Sequence, residues 1–192
     1  IDPATAAIHA PPANHETYAP PAIPTTRRIC GACQHAPPPF DRVIAPWRYD
    51  EYFAHLIHLW KYRREERMTA LLATLWRQQV QLRANIDVLV PVPLHWRRRW
   101  QRGFNQSELL AKRLLADCPE LASCALAPRL VKRQRATASQ SSMNARQRAS
   151  NLRGAFTVCG PCDNLRIAIV DYVLTTGATA ASIAHALSDA GA

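Results

Sequence analysis

The chain has 192 residues, 48% of them apolar, enough for one good core and a small appendage. Its 24 Lys and Arg against 14 Asp and Glu give a formal net charge of +10, which points to acidic partners: phosphates, nucleotides or nucleic acid. No apolar run is long enough to span a bilayer, and no charged start leads into an apolar stretch and a cleavage site. Membrane and secreted classes are therefore set aside, and the cytoplasm is the expected compartment. Lysine is confined to Lys61, Lys112 and Lys132; the rest of the positive charge is Arg, whose planar fork meets phosphate oxygens two at a time.

Residues 1–46 hold ten of the 15 prolines, including Pro37-Pro38-Pro39, with almost no periodic apolar pattern. Residues 1–42 are accordingly predicted as a Pro-rich, extended or disordered segment, and the globular part begins near Val43. Phe53, Leu56, Ile57 and Trp60 then recur at i, i+3, i+4 and i+7, which predicts a helix with one apolar stripe. Met68, Leu71, Leu72 and Leu75 repeat that spacing. The charged run Lys61 to Arg67 between them reads as a solvated turn.

Asp87 to Pro93 reads as a strand that ends at its prolines. Trp96 to Gly103 reads as a basic loop, and Phe104 to Leu115 as a helix with Glu108 placed to pair with Lys112. Leu126 to Val131 and Ala155 to Val158 are short strand candidates around a long Arg-rich segment. Ile167 to Val170 is apolar on both faces, as a central parallel strand must be. Ala180 to Ala190 reads as a helix with Ile183 and Leu187 in step. Strands alternating with helices predict an α/β sheet. The chain starts at Ile1 and stops at Ala192, where a helix would hand over to another strand; a fragment cut at both ends is expected.

Most of the chemistry lies between Ile167 and Thr179. A buried strand delivers Asp171 to its carboxyl end, where open α/β sheets bind ligands. The loop Thr175-Thr176-Gly177-Ala178-Thr179 then opens a helix. Backbone N–H groups at a helix N-terminus are unpaired and partly positive, so a phosphate is favourable there. Gly177 permits close approach of the backbone, and the threonines can add hydroxyl donors. A turn that merely caps a helix is the plain alternative. The loop is neither a Walker loop nor a GxGxxG turn. Arg97-Arg98-Arg99 is either part of a phosphate site or a solvated basic face open to nucleic acid.

Cys30-Gly31-Ala32-Cys33 has the spacing of half a tetrahedral zinc site, too little to hold the metal well. Cys159-Gly160-Pro161-Cys162 has thioredoxin spacing, but a strand rather than a helix follows it, so a turn between strands is the better reading. Cys118 and Cys124 are read as structural, His55 and His58 as packing residues, and His95 as a loop residue within reach of a ligand.

Asp171 to Thr179 resembles the phosphoribosyl-pyrophosphate (PRPP) loop of type I phosphoribosyltransferases. Pro91-Val92-Pro93-Leu94, Arg97, Arg99 and Arg102-Gly103-Phe104-Asn105-Gln106 are similar to the signature of one branch, the ComF family of competence and DNA-utilisation proteins. The segment with Arg133, Arg135, Thr137, Gln140, Arg148, Asn151 and Phe156 is similar to it as well. The resemblance implies an open parallel sheet with flanking helices over residues 43–192, preceded by a degenerate zinc ribbon with Cys30 and Cys33. It implies that Asp171 is the catalytic carboxylate, that Asp171, Thr175, Thr176, Gly177, Ala178 and Thr179 hold the phosphoribosyl group, and that Arg99 and Arg102 face its pyrophosphate. Arg133, Arg135 and Arg148 would belong to a mobile loop that closes over the site. Mg²⁺ would accompany PRPP, Zn²⁺ would be held weakly if at all, and a homodimer is compatible with such a fold.

One departure bears on the chemistry. The family's loop usually begins with two adjacent acidic residues, and the second is here Tyr172, neutral at pH 7. The rival reading is a non-catalytic module of the same fold that binds nucleotide or single-stranded DNA.

Overall fold

The computed structural model describes residues 31–63, 66–79, 86–135, 152 and 154–192. Helix α1 (Gly31–His35) lies in the Pro-rich segment, so that segment is not extended throughout. Helices α2 (Glu51–Arg63) and α3 (Glu66–Gln79) follow. Asp50 starts α2 by accepting the Phe53 N–H on Oδ1 at 2.8 Å, which satisfies one of the free donors of the first turn. Ile57 and Trp60 are fully buried, and Trp60 Nε1 donates to Thr69 Oγ1 of α3 at 3.0 Å.

The stripe on α3 differs from expectation. Leu71 is 46% exposed, and the buried face runs through Thr69, Leu72 and Ala73. His55 and His58, read as packing residues, lie on the exposed side of α2. Lys61 was read as part of a solvated turn, yet α2 continues past it and leaves it half-buried. It stands one turn beyond Ile57, on the face that packs.

The main sheet is parallel, in the order β2 (Ala125–Leu126), β1 (Val88–Pro91), β5 (Ile167–Val170). All four residues of β1 are buried, so β1 is the central strand. β5, expected in that place, stands at the edge of the described sheet. Its two faces are nonetheless partly covered. Ala168 and Val170 pack on the core formed by α2, α3 and the helix Gln106–Asp117, while Ile167 and Ile169 pack on the core beneath the last helix. At the start of both strands Asp87 receives the Arg166 backbone N–H at 2.8 Å, its Nε at 2.9 Å and its Nη2 at 2.6 Å. These bonds hold the Asp87 carboxyl down at about 2. The segment expected as one strand from Leu126 to Val131 divides at a turn. Its second part, β3 (Val131–Arg133), pairs antiparallel with β4 (Phe156–Val158).

Trp96 to Arg102, expected as a loop, is helix α4. None of its residues is buried, so apolar periodicity had nothing to report. Its ends hold it instead: His95 Nδ1 accepts the Arg97 N–H, and Gly103 closes the helix at φ 78°, a left-handed value that suits glycine. Helix α5 (Gln106–Asp117) covers one face of the sheet, and α6 (Ala178–Ser188) packs over the other with Ile183 and Leu187 buried. The whole is a mixed α/β fold, a small parallel sheet with flanking helices. Among the described residues no helix is long and apolar enough to cross a membrane.

Candidate functional site

Because β1 and β5 are parallel neighbours, their carboxyl ends emerge side by side. The chain after β1, the loop between β5 and α6, and the start of α5 enclose a cleft of about 230 Å³. Lys61 of α2, Arg98 of α4, Ser107 of α5 and Arg133 of β3 line it, opposite Asp171 and the loop to Thr179.

Asn105 sets the approach of α5. Its Nδ2 donates to the Val92 carbonyl at 3.0 Å, and its Oδ1 accepts the Ser107 N–H at 3.1 Å. A residue that caps the helix and also holds the end of β1 fixes where Ser107 points. The Ser107 hydroxyl meets Asp171 Oδ1, which also accepts the Tyr172 N–H. Burial outweighs these bonds and lifts the Asp171 carboxyl to about 6.

Tyr172 is held on three sides. Its ring meets Trp60 edge-on at 5.8 Å, Lys61 Nζ lies 5.1 Å from its centroid, and Arg102 hydrogen-bonds its side chain. Burial pushes its hydroxyl pKa up, and Arg102 opposes the shift. Burial likewise lowers Lys61, helped by Arg102 and Arg98 and opposed by Asp171. Desolvation, then Arg98, lowers the pKa of Arg133, whose guanidinium lies 5.5 Å from the centroid of the Phe156 ring.

The loop residues divide. Thr175, Gly177, Ala178 and Thr179 line the cleft, whereas the Thr176 hydroxyl accepts the Ala178 N–H at 3.4 Å. Gly177 takes φ 75°, and a Cβ added to it would meet no described residue within 4 Å. The backbone therefore turns there beside open space. Of the arginines expected near a pyrophosphate, Arg99 turns to Glu108 at 3.5 Å with its side chain 60% exposed, and Arg102 serves Tyr172. Arg133 lines the cleft, Arg135 is exposed outside it, and Arg148 lies outside the described residues, as do Thr137, Gln140 and Asn151. His95 is buried as a helix cap. Sequence reasoning missed Lys61 and Ser107 as site residues, and offered Arg98 only within a basic run that was either a phosphate site or a solvated face. Of the two missed, only Lys61 had a signal, its place on the apolar stripe of α2.

Cys33 is half-buried in α1, and Cys30 lies outside the described residues. Cys162 is buried with Sγ 3.4 Å from the Ala190 carbonyl, Cys159 is exposed, and β5 follows the pair. Cys118 and Cys124 are buried, in keeping with a structural role. Among the described residues no three His, Cys, Asp or Glu side chains gather as a metal site. Mg²⁺ takes hard oxygen ligands, carboxylates above all. Among the described residues the cleft offers one carboxylate, Asp171, already bonded to Ser107 and Tyr172, among three cationic side chains. That donor set does not fit a divalent cation.

Among known proteins, the chain is 40% identical over 172 residues to the DNA utilization protein YhgH of Salmonella typhi, covering 85% of this chain and 73% of that protein. It is 39% identical over 169 residues to the DNA utilization protein YhgH of Escherichia coli, with the same shares covered. It is 32% identical over 174 residues to Competence protein F of Haemophilus influenzae, covering 84% of this chain and 73% of that protein. No family model matches the chain. No solved structure matches it.

Proposed function

The chain belongs to the ComF family of competence and DNA-utilisation proteins, and from that premise we propose that it binds PRPP or a phosphoribosyl nucleotide in the cleft above β1 and β5. The observation that carries this reading is the junction of Asp171 with the Gly177 turn at the mouth of α6. In it the 5′-phosphate meets the N–H groups at the start of that helix, and Asp171 accepts hydrogen bonds from ribose hydroxyls. Residues 43–192 are then a type I phosphoribosyltransferase-like domain, working in the cytoplasm on products of DNA use. If transfer occurs, the cations facing Asp171 stabilise the departing diphosphate, so the protein's part is electrostatic and positional.

The test is calorimetric titration with PRPP, with a nucleoside monophosphate and with oligo-dT in one buffer. Binding of the phosphoribosyl ligands, lost in Gly177→Val, is expected. Their failure to bind, with oligo-dT still bound near physiological salt, would overturn the reading.

One observation favours a second reading, a single-stranded DNA module. Trp96 and Trp100 are 65% and 84% exposed, one turn apart on α4, among Arg97, Arg98 and Arg99. Aromatic faces amid positive charge are what unpaired bases stack on.

A further inference from the structure

Lys61, Arg98 and Arg133 enter the cleft from three separate elements, α2, α4 and β3. Among the described residues that line the cleft, the one carboxylate is Asp171, and no ion pair within 4 Å joins it to Lys61. Cations gathered in a confined space repel one another, and burial sharpens the repulsion because water screens less. Lys61 feels it: desolvation and the neighbouring Arg102 and Arg98 press its ammonium below the usual range. An anion placed among these groups would lower that repulsion.

The Gly177 turn can hold one phosphate through backbone N–H groups, and that phosphate has no need of the three side chains. Their combined charge suits a second and more highly charged group. Two guanidinium forks and an ammonium match the several oxygens of a diphosphate. The Lys61 amine stands over the ring of Tyr172, the residue found where the family's second carboxylate is expected.

We infer that Lys61, Arg98 and Arg133 form a diphosphate-binding site that works without a divalent metal, the Lys61 ammonium supplying the charge a metal ion would bring. The site deepens the phosphoribosyl reading and rests on it for the ligand's other half. A metal ion accompanying the ligand would be repelled by three fixed cations, with Asp171 the one carboxylate among the described lining residues to attract it. Mg²⁺ therefore competes with the protein for the same phosphate oxygens.

The test is calorimetry on the full chain with inorganic diphosphate, inorganic phosphate, ribose 5-phosphate and PRPP, each in EDTA and again in excess Mg²⁺. Diphosphate is expected to bind in EDTA, more tightly than phosphate, and to bind more weakly when Mg²⁺ is added. Loss of a charge-assisted contact in Lys61→Met should weaken diphosphate binding about tenfold or more, with Lys61→Arg retaining most of it. Should Lys61→Met fail to fold, Arg98→Ala gives the same reading from a helix with no buried residue. Diphosphate and PRPP binding only with Mg²⁺ overturns the metal-free site and leaves the phosphoribosyl reading standing. So does an unchanged affinity in both Lys61→Met and Arg98→Ala. Metal-free binding of diphosphate with no binding of PRPP or ribose 5-phosphate does the opposite.

Discussion

Ser107 donates its hydroxyl to Asp171 Oδ1 at 3.3 Å, joining the first turn of α5 to the end of β5 across 64 positions of sequence. The bond bears on whether Asp171 is ionised. Burial has raised its carboxyl to about 6, and the donors around it are what keep it from rising further. Ser107→Ala is expected to raise the Asp171 pKa again, which NMR titration of the carboxyl carbon would read. No change would mean that water replaces the hydroxyl.

The same shift makes a prediction about stability. A carboxyl raised in the folded state stabilises the fold fully below its unfolded value of 3.8 and loses that contribution as pH rises through about 6. Above that, the ionised Asp171 costs on the order of 3 kcal/mol. Asp171→Asn should therefore melt higher than the wild type above about pH 7, with the gain fading as the pH falls below about 6 toward 4. Its PRPP affinity should drop even as it gains stability. Parallel melting curves across this window would show that the carboxylate is solvated.

Gly177→Val should separate folding from binding. The turn residue has φ 75°, a conformation that costs a β-branched side chain about 1–2 kcal/mol. Among the described residues no neighbour opposes the new Cβ, so the chain should still fold with a modestly lower melting temperature. The added methyl groups would fill space left for a phosphate, and binding of PRPP and ribose 5-phosphate should be lost. Unchanged binding in the folded variant would move the phosphate elsewhere.

Tyr172→Asp trades packing for charge. Losing the ring against Trp60 should cost about 2–4 kcal/mol of stability. A second carboxylate near Asp171 should turn the effect of Mg²⁺ on PRPP binding from unfavourable to favourable. Titrations of both proteins with and without Mg²⁺ read the sign directly, and the same response in both would remove Tyr172 from the account.

How much of this was legible in the sequence depends on what each element relies on. β1, α5 and α6 rely on buried apolar side chains, and their residues showed it: Val88 to Val90, Leu110 and Leu114, Ile183 and Leu187; β5 is apolar throughout but only half-buried. α4 relies on His95 and Gly103 at its ends, so Trp96 to Arg102 read as a loop. Lys61 was hidden in a charged run because a long side chain can share a buried face while its amine reaches a cleft. Ser107 could not be seen at all, since its partner is far away in the chain. Asp171 and Gly177 were visible because both belong to one short strand-turn-helix.

The two surfaces of α4 should respond differently to salt. Trp96→Ala with Trp100→Ala should weaken oligo-dT binding and barely change stability, because both rings are exposed. Arg97, Arg98 and Arg99 changed together to Ala should flatten the salt dependence of oligo-dT binding. Diphosphate binding should fall in the triple change through Arg98 and stay constant in the tryptophan pair. Equal losses of both ligands in the tryptophan pair would mean one shared site.

The clasp between Asp87 and Arg166 also has a consequence for synthesis on the ribosome. The central strand β1 is made before its partner β5, which comes 79 residues after it. At about 5 to 20 residues per second, that partner follows roughly 4 to 16 seconds later. Until then Val88 to Pro91 present an apolar strand whose edge toward β5 is bare, the state in which chains aggregate. Slowing translation between these strands should therefore lower the soluble yield of this protein, and co-expressed holdase chaperones should restore it.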